Sequence, residues 1–347
     1  MANSSSQADL VKQAASDGQK RTLSVAVIGA GAVSQRHAAA LAEGPRVRLA
    51  CVCDPREEAG SPLAAKHGVP WVSEAQTVLA DNEVDAVYLC VPHHLHYEMA
   101  LQALAAGKHV FIEKPMANTV EQCDAIIQAA QQAGCAVVVG HQYRFLPLCT
   151  KLKELIQSGA VGQVVAVVDR IVFDYRVEQR PKWFLRTETA GGGVMMNTTV
   201  HQIDRVCWLL DALPQAVDAS IGRHFAGYDI DSHVSALWRM PENRSVHLVC
   251  MAYPSRPENS VEVIGTTGQI RIDFVTRTLT LARGGEPELE LELHDPTLAA
   301  GRMVDQLVAA AFDGQTPQTD AAWGRQVVRL AMVHYESAQR GQPVEIS

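Results

Sequence analysis

The chain lacks a cysteine framework. Its eight cysteines, at positions 51, 53, 90, 123, 135, 149, 207 and 250, sit mostly inside apolar runs, and Cys51 and Cys53, the close pair, lie two apart in an extended segment. Disulfide staples and zinc clips need spacings that these positions do not offer, so the thiols are expected to be reduced and buried. An excess of basic charge is also missing. Thirty Lys and Arg stand against 38 Asp and Glu, for a net charge of −8 and a pI near 5.9. Such a surface matches nucleic acid poorly, and no nucleic-acid partner is expected. No apolar run approaches the ~18 residues of a membrane span, and the N-terminus has no basic start followed by an apolar block. The expectation is a soluble cytoplasmic protein with no membrane partner. Glycine (24) and proline (16) are near ordinary usage, which excludes collagen-like and wholly disordered chains. What remains is 347 residues, 47% apolar and 20% charged, more than one core usually holds, so two packed domains are expected.

Residues 1–22 are rich in Ser, Gln, Ala and Asp and read as a disordered tail, or as an arm that docks on a partner subunit. From Leu23 to about 142, short apolar runs alternate with helix-forming stretches, the signature of an α/β doubly wound parallel sheet. The runs are 25–28, 47–53, 86–91, 109–112 and 136–139; the helical stretches are 35–42, 57–67, 94–106 and 120–133. Residues 143–347 change rhythm. A helix near 146–157 is followed by serial strands at 164–175, 215–221, 234–240, 245–253, 260–264, 269–274 and 278–281, with a helix near 197–210 among them. This is a second α/β domain with a large, mainly antiparallel sheet, on which two closing helices at 297–312 and 320–340 are expected to pack.

The first strand runs straight into Gly29-Ala30-Gly31-Ala32-Val33-Ser34 and then a helix. Gly29 permits the tight turn, Gly31 lets the backbone approach a pyrophosphate on the helix N-terminus, and Ala32 and Val33 complete the cradle. Ser34 replaces the third glycine of the fingerprint, and the motif alone also suits a plain strand-to-helix turn. The second strand ends in Asp54, twenty residues past Ser34, where a carboxylate accepts from an adenosine ribose. That context points to a dinucleotide. Asp54 favours NAD because it would repel a 2′-phosphate, while Arg56 beside it keeps NADP possible.

Two segments leave the carboxyl ends of parallel strands, where open α/β sheets bind ligands. One is Cys90-Val91-Pro92-His93-His94-Leu95-His96, from which Val91, Pro92 and His96 are expected at the cofactor; the other is Phe111-Ile112-Glu113-Lys114-Pro115-Met116. A lysine at a dry sheet edge loses pKa by desolvation and becomes fit for proton transfer, although a surface lysine ending a strand gives the same tripeptide. The three histidines have no acidic or cysteine partner at helical spacing, so no metal is expected. Between Gly191 and Asp204, Asn197 and His201 lie four apart and Asp204 three beyond, so that one helical face carries all three. Such a stripe either faces a ligand or forms a satisfied buried network. Tyr143, Arg144 and the Arg180-Pro181-Lys182-Trp183-Phe184 loop offer planar donors and an aromatic face to a sugar ring, and that loop equally suits a structural turn with Trp183 buried.

With the motifs at 29–37, 91–96, 113–115, 140–145 (Gly-His-Gln-Tyr-Arg-Phe) and 191–204 in this order, the chain from about residue 23 to its end resembles the glucose-fructose oxidoreductase and inositol dehydrogenase superfamily, Gfo/Idh/MocA. The resemblance implies an N-terminal Rossmann domain and a C-terminal α/β domain whose open sheet makes homodimer or homotetramer contacts, with substrate held between them. It places the family lysine at Lys114, Glu113 near the nicotinamide ribose, and a cis peptide at Lys114–Pro115. The family's helix-borne aspartate and histidine fall on Asn197 and His201. The asparagine is a departure, since it orients a hydroxyl but holds no charge to raise the pKa of His201. The implied reaction is hydride transfer between NAD or NADP and a secondary hydroxyl of a sugar, inositol or sugar derivative. Lys114 and His201 would handle the proton, and Asn197, Tyr143, Arg144, Trp183 and Asp204 would contact substrate. Two rivals are a dehydrogenase or reductase of a non-sugar, such as a dihydrodiol or semialdehyde, and a catalytically silent dinucleotide-binding regulator.

Overall fold

The computed structural model describes residues 21–253, 256–284, 286–292 and 297–346; the tail or arm expected at 1–22 lies outside it except for Arg21 and Thr22. Six parallel strands form the first sheet: β1 (Leu23–Ile28), β2 (Val47–Cys53), β3 (Trp71–Val72), β4 (Ala86–Leu89), β5 (His109–Ile112) and β6 (Val137–Val139). Their order is β3-β2-β1-β4-β5-β6. β1 and β4 are buried at every residue, because helices cover both faces of a parallel sheet, and this is why they read as unbroken apolar runs. The connecting helices are α1 (Ser34–Glu43), α2 (Glu57–Lys66), α3 (Ala75–Ala80), α4 (His93–Ala105) and α5 (Val120–Ala133). α5 shows the expected signals at both ends: Thr119 Oγ1 accepts from the Gln122 amide, and Gly134 closes the helix in the left-handed region. Strand order reverses between β1 and β4, so a crevice opens beyond their carboxyl ends.

A 3-10 turn (Gln142–Phe145) and α6 (Pro147–Gln157) lead to a nine-stranded sheet. It comprises β7 (Val164–Val172), β8 (Ala216–Gly222), β9 (His233–Arg239), β10 (Ser245–Met251), β11 (Glu258–Gly265), β12 (Gln269–Asp273), β13 (Thr278–Arg283), β14 (Glu286–Glu292) and β15 (Val344–Glu345). The order is β14-β13-β12-β11-β7-β10-β9-β8-β15, and all pairs are antiparallel except β7 with β10. Burial alternates along β9 and β10, so one face is packed and the other is open. α7 (Val200–Leu210) lies on the packed face, where Arg205 and Asp169 form a two-pronged ion pair (2.8 and 2.6 Å) with both side chains wholly buried.

The two closing helices depart from expectation. α8 (Thr297–Asp313) sends Met303, Val304, Leu307 and Val308 into the first core beside Val25, Leu41 and Phe111, and Arg46 and Asp313 pair across its end at 2.9 Å. It completes the first domain instead of packing on the second sheet. α9 (Ala321–Arg340) serves both, with Val328 in the first domain's core and Val327, Leu330 and Ala331 in the second's.

Candidate active site

The glycine turn stands at the crevice. Gly29 has φ +96°, and a Cβ there would lie 2.4 Å from the Cys90 carbonyl oxygen, so only glycine fits between the two strand ends. A Cβ on Gly31 would meet nothing within 4 Å, which leaves the turn's outer face open for a pyrophosphate above the N-terminus of α1. Ser34 is buried and donates its hydroxyl to the Gly29 carbonyl at 2.5 Å, so the residue that replaces the third glycine fastens the turn. Asp54 is buried and accepts from the Ala30 amide (2.8 Å), the Arg56 amide and the Arg56 guanidinium. Burial acts to raise its pKa, but Arg56 and the Ala30 amide outweigh it and hold the carboxylate below its ordinary range.

His96, expected at the cofactor, turns its ring to two backbone carbonyls. His96 is fully buried, with Nδ1 2.7 Å from the Pro115 carbonyl and Nε2 3.0 Å from that of Val91. Burial lowers its pKa, against the two carbonyl contacts. His96 thereby pins the segment after β4 to the segment after β5. His93 bonds the Ala190 carbonyl at 2.8 Å and meets the edge of Trp183, which stacks on Phe184 at 3.7 Å. Trp183 is half-buried in this aromatic wall.

The Lys114–Pro115 bond is cis. Lys114 Nζ donates to the Asn197 carbonyl at 2.6 Å and reaches Asn197 Oδ1 at 3.4 Å, bringing the two domains' key segments together. Burial, assisted by the Arg36 charge, lowers the Lys114 pKa against the opposing Glu113. Glu113 is gripped from the other side: its Oε1 lies 2.6 Å from His37 Nε2 and its Oε2 accepts from the Lys114 amide. Burial would raise its pKa, yet His37, Lys114 and Arg36 bring it down to about 2. Gly140 leaves room for this carboxylate, since a Cβ there would sit 3.2 Å from it.

Asn197 belongs to a π-helical turn (Met195–Thr199) ahead of α7, so the simple four-residue spacing does not hold. Asp231 fixes this turn, accepting from the Gly193 amide (2.6 Å), the Met195 amide (2.7 Å) and Tyr335 Oη (2.6 Å). His201 is buried, its Nδ1 has no protein partner, and Tyr143 meets the ring edge-on at 5.1 Å. Burial, then the charges of Lys114 and His141, push its pKa well below the ordinary value, so the ring is neutral at physiological pH. Tyr143 Oη accepts from Asn259 Nδ2, and Arg205 lies over its ring at 4.6 Å. Arg144 and Asp204, expected to touch substrate, are instead paired with each other at 2.7 Å beneath the site. Asp204 also accepts from Trp323 Nε1, and Arg144 stacks on that indole and bonds the Gln318 carbonyl. Two buried charges require such partners.

Sequence reading passed over four residues here: His37, Arg36, His141 and Asp231. The first three lie in the motifs at 29–37 and 140–145 and were legible as positions, whereas Asp231 has no local signal. Among the described residues no group of three or more His, Cys, Asp or Glu is placed to hold a metal, and no helix is long and apolar enough to cross a membrane.

The buried imidazoles carry a stability consequence. His141 and His334 are pushed down to about 4 by burial, against about 6.5 when unfolded. Between these values the unfolded chain binds more protons, so stability is full above about pH 6.5 and falls as pH drops toward about 4. Each group is expected to cost on the order of 2 kcal/mol at about pH 5, readable as a lower urea midpoint than at neutral pH.

A parallel sheet ending in a phosphate cradle, joined to a second sheet that sets an amide and a neutral imidazole before a lysine, defines a two-domain, dinucleotide-binding oxidoreductase. The chain belongs to the Gfo/Idh/MocA family: residues 23–141 match its "Oxidoreductase family, NAD-binding Rossmann fold" model, and residues 149–271 match the GFO/IDH/MocA C-terminal domain. It is 30% identical over 299 residues to the 1,5-anhydro-D-fructose reductase of Ensifer adhaerens, covering 83% of this chain and 88% of that one. It is 33% identical over 213 residues to the 1-carboxy-3-chloro-3,4-dihydroxycyclohexa-1,5-diene dehydrogenase of Comamonas testosteroni, covering 61% of this chain and about half (52%) of that one. Among solved structures, the aldose-aldose oxidoreductase of Caulobacter crescentus, complexed with glycerol, superposes with a TM-score of 0.86 at 26% identity, covering 94% of this chain and all of that one.

Proposed function

We propose that this protein oxidises a secondary hydroxyl of a sugar, inositol or sugar derivative with NAD, or runs the reverse reduction. The observation that carries this reading is the meeting of Lys114 Nζ with Asn197 beside a neutral, buried His201, at the crevice where the glycine turn ends. The cradle fits a dinucleotide: the open face of Gly31 suits its pyrophosphate, and Asp54 suits a ribose. When bound, the nicotinamide supplies the hydride acceptor or donor. The chain's own residues manage the proton and the charge. His201, neutral at pH 7, takes the hydroxyl proton, and the Lys114 ammonium stabilises the negative charge that develops on that oxygen. Asn197 orients the hydroxyl through its amide, and Tyr143 and Trp183 wall the ring. The similarity to the Ensifer reductase and the Caulobacter oxidoreductase supports a sugar-like substrate.

The similarity to the Comamonas enzyme favours a second reading, a cyclic dihydrodiol as substrate. Purified protein assayed at the reduced-nicotinamide band with inositols, aldoses, sugar acids, nucleotide sugars and dihydrodiols separates the two. Turnover of a polyol or sugar is expected. Turnover confined to dihydrodiols would replace the substrate class, and tight cofactor binding with no turnover would leave the regulator.

NAD is the preferred cofactor in this reading, and the exposed Arg56, which forks onto Asp54, is what allows NADP. Arg56→Ala is expected to weaken NADP binding by roughly tenfold, a charge-assisted contact's worth, with NAD affinity nearly unchanged; fluorescence titration of both reduced cofactors checks it. The open face of the nine-stranded sheet, with Val165 and Leu237 exposed, is proposed to join subunits in a homodimer or homotetramer, which light scattering measures. Eight free cysteines fit a cytoplasmic location.

A further inference from the structure

β5 and β6 run in parallel register, Ile112 beside Val139, and the Gly140 amide bonds the Ile112 carbonyl, so Glu113-Lys114 and Gly140-His141 leave the sheet side by side. His141 is 1% exposed, and neither ring nitrogen has a protein partner. It is not alone. His201 Nδ1, Asp204 Oδ2 and Arg144 Nη2 are also buried without partners, and all three residues are nine-tenths or more buried. His141 opens the 3-10 turn whose Tyr143 meets the His201 ring at 5.1 Å and whose Arg144 pairs with Asp204 at 2.7 Å, which gathers these groups around one turn. Each unmet buried polar atom costs about 1–3 kcal/mol, and a polar space with several such atoms is where internal water binds.

We propose that His141 is a relay residue for the reaction, exchanging protons with His201 through water held by Asp204 and Arg144. This rests on the proton-handling role given above to Lys114 and His201. In the oxidation direction the C–H hydride, with its electron pair, would go to the nicotinamide, the substrate O–H bond breaks and an N–H bond forms on His201. His201 then releases a proton from its Nδ1 side to water, and His141 accepts one from that water at one ring nitrogen and yields one from the other to water that passes it to solvent, so that one proton leaves per turnover. His141 touches neither substrate nor cofactor in this scheme.

The first test needs no substrate: a crystal structure of the full chain with NAD, at a resolution that shows water. Ordered water bonded to both His141 and Asp204 is expected, and a dry cluster would overturn the relay. The second uses the panel alcohol with the highest turnover. His141→Asn holds water but carries no proton, so kcat is expected to fall by about 10²-fold with KM little changed, the solvent deuterium isotope effect to rise, and added imidazole to restore rate. A folded His141→Asn enzyme, or His141→Gln where the first does not fold, with wild-type kcat and isotope effect overturns the relay. Should Lys114→Ala and His201→Ala both keep full turnover, the proton assignment itself fails; should they abolish it while His141→Asn does not lower it, only the relay fails.

Discussion

Lys114→Ala is expected to lower kcat by about 10²–10⁴-fold while the dissociation constant for NADH moves little. The lysine's amide is held by Glu113 and its ammonium bonds the Asn197 carbonyl, so it belongs to the reacting end of the cleft and not to the phosphate cradle. Removing it takes away the ammonium that would face a developing alkoxide beside His201. Lys114→Arg is not expected to rescue the rate, because a planar guanidinium cannot replace a compact ammonium at the Asn197 carbonyl. Single-turnover hydride transfer with the best panel alcohol, beside a fluorescence titration with NADH, measures both quantities. Undiminished turnover would remove Lys114 from the mechanism.

The largest expected loss of stability comes from Asp169→Ala. Asp169 and Arg205 are both wholly buried and joined by two bonds, and Gln202 Nε2 donates to the same carboxylate at 2.7 Å. Breaking one side strands a buried guanidinium, for a cost of about 3–5 kcal/mol in urea unfolding. Arg205 also lies over the rings of Tyr143 and Phe274, so the damage would reach the wall that supports His201. The Arg46–Asp313 pair, whose side chains are 29% and 39% exposed, serves as the contrast: Asp313→Ala is expected to leave the urea midpoint nearly unchanged.

The first domain was legible because its signals are local. Apolar strands buried on both faces read as continuous runs, and α5 carries its start in Thr119 and its stop in Gly134. Trp71–Val72 escaped because two residues make no pattern, and β15 for the same reason. The parallel pairing of β7 with β10 and the destination of α8 are decisions of tertiary packing, which an amphipathic pattern does not address. At the site, the glycine turn, Asp54, Lys114, Asn197 and His201 were readable from motif and spacing. The stripe of Asn197, His201 and Asp204 misled in part, since the π turn breaks the helical count and Trp323 and Arg144, 119 and 60 residues away in sequence, claim Asp204. His96 misled because its position beyond β4 is a ligand position, but its ring turns inward to two carbonyls.

The return of α8 to the first core has a bearing on biosynthesis. A nascent chain that has emerged only to residue 142 holds all six strands of the nucleotide-binding sheet, yet the surface around Leu41 and Phe111 still waits for Met303, Val304, Leu307 and Val308. The cofactor domain is therefore finished late, after eight of the nine strands of the second sheet have been synthesised. A ribosome-stalled chain ending before 297 should present that apolar surface to chaperones, and the dinucleotide should bind firmly only once the last helices are free.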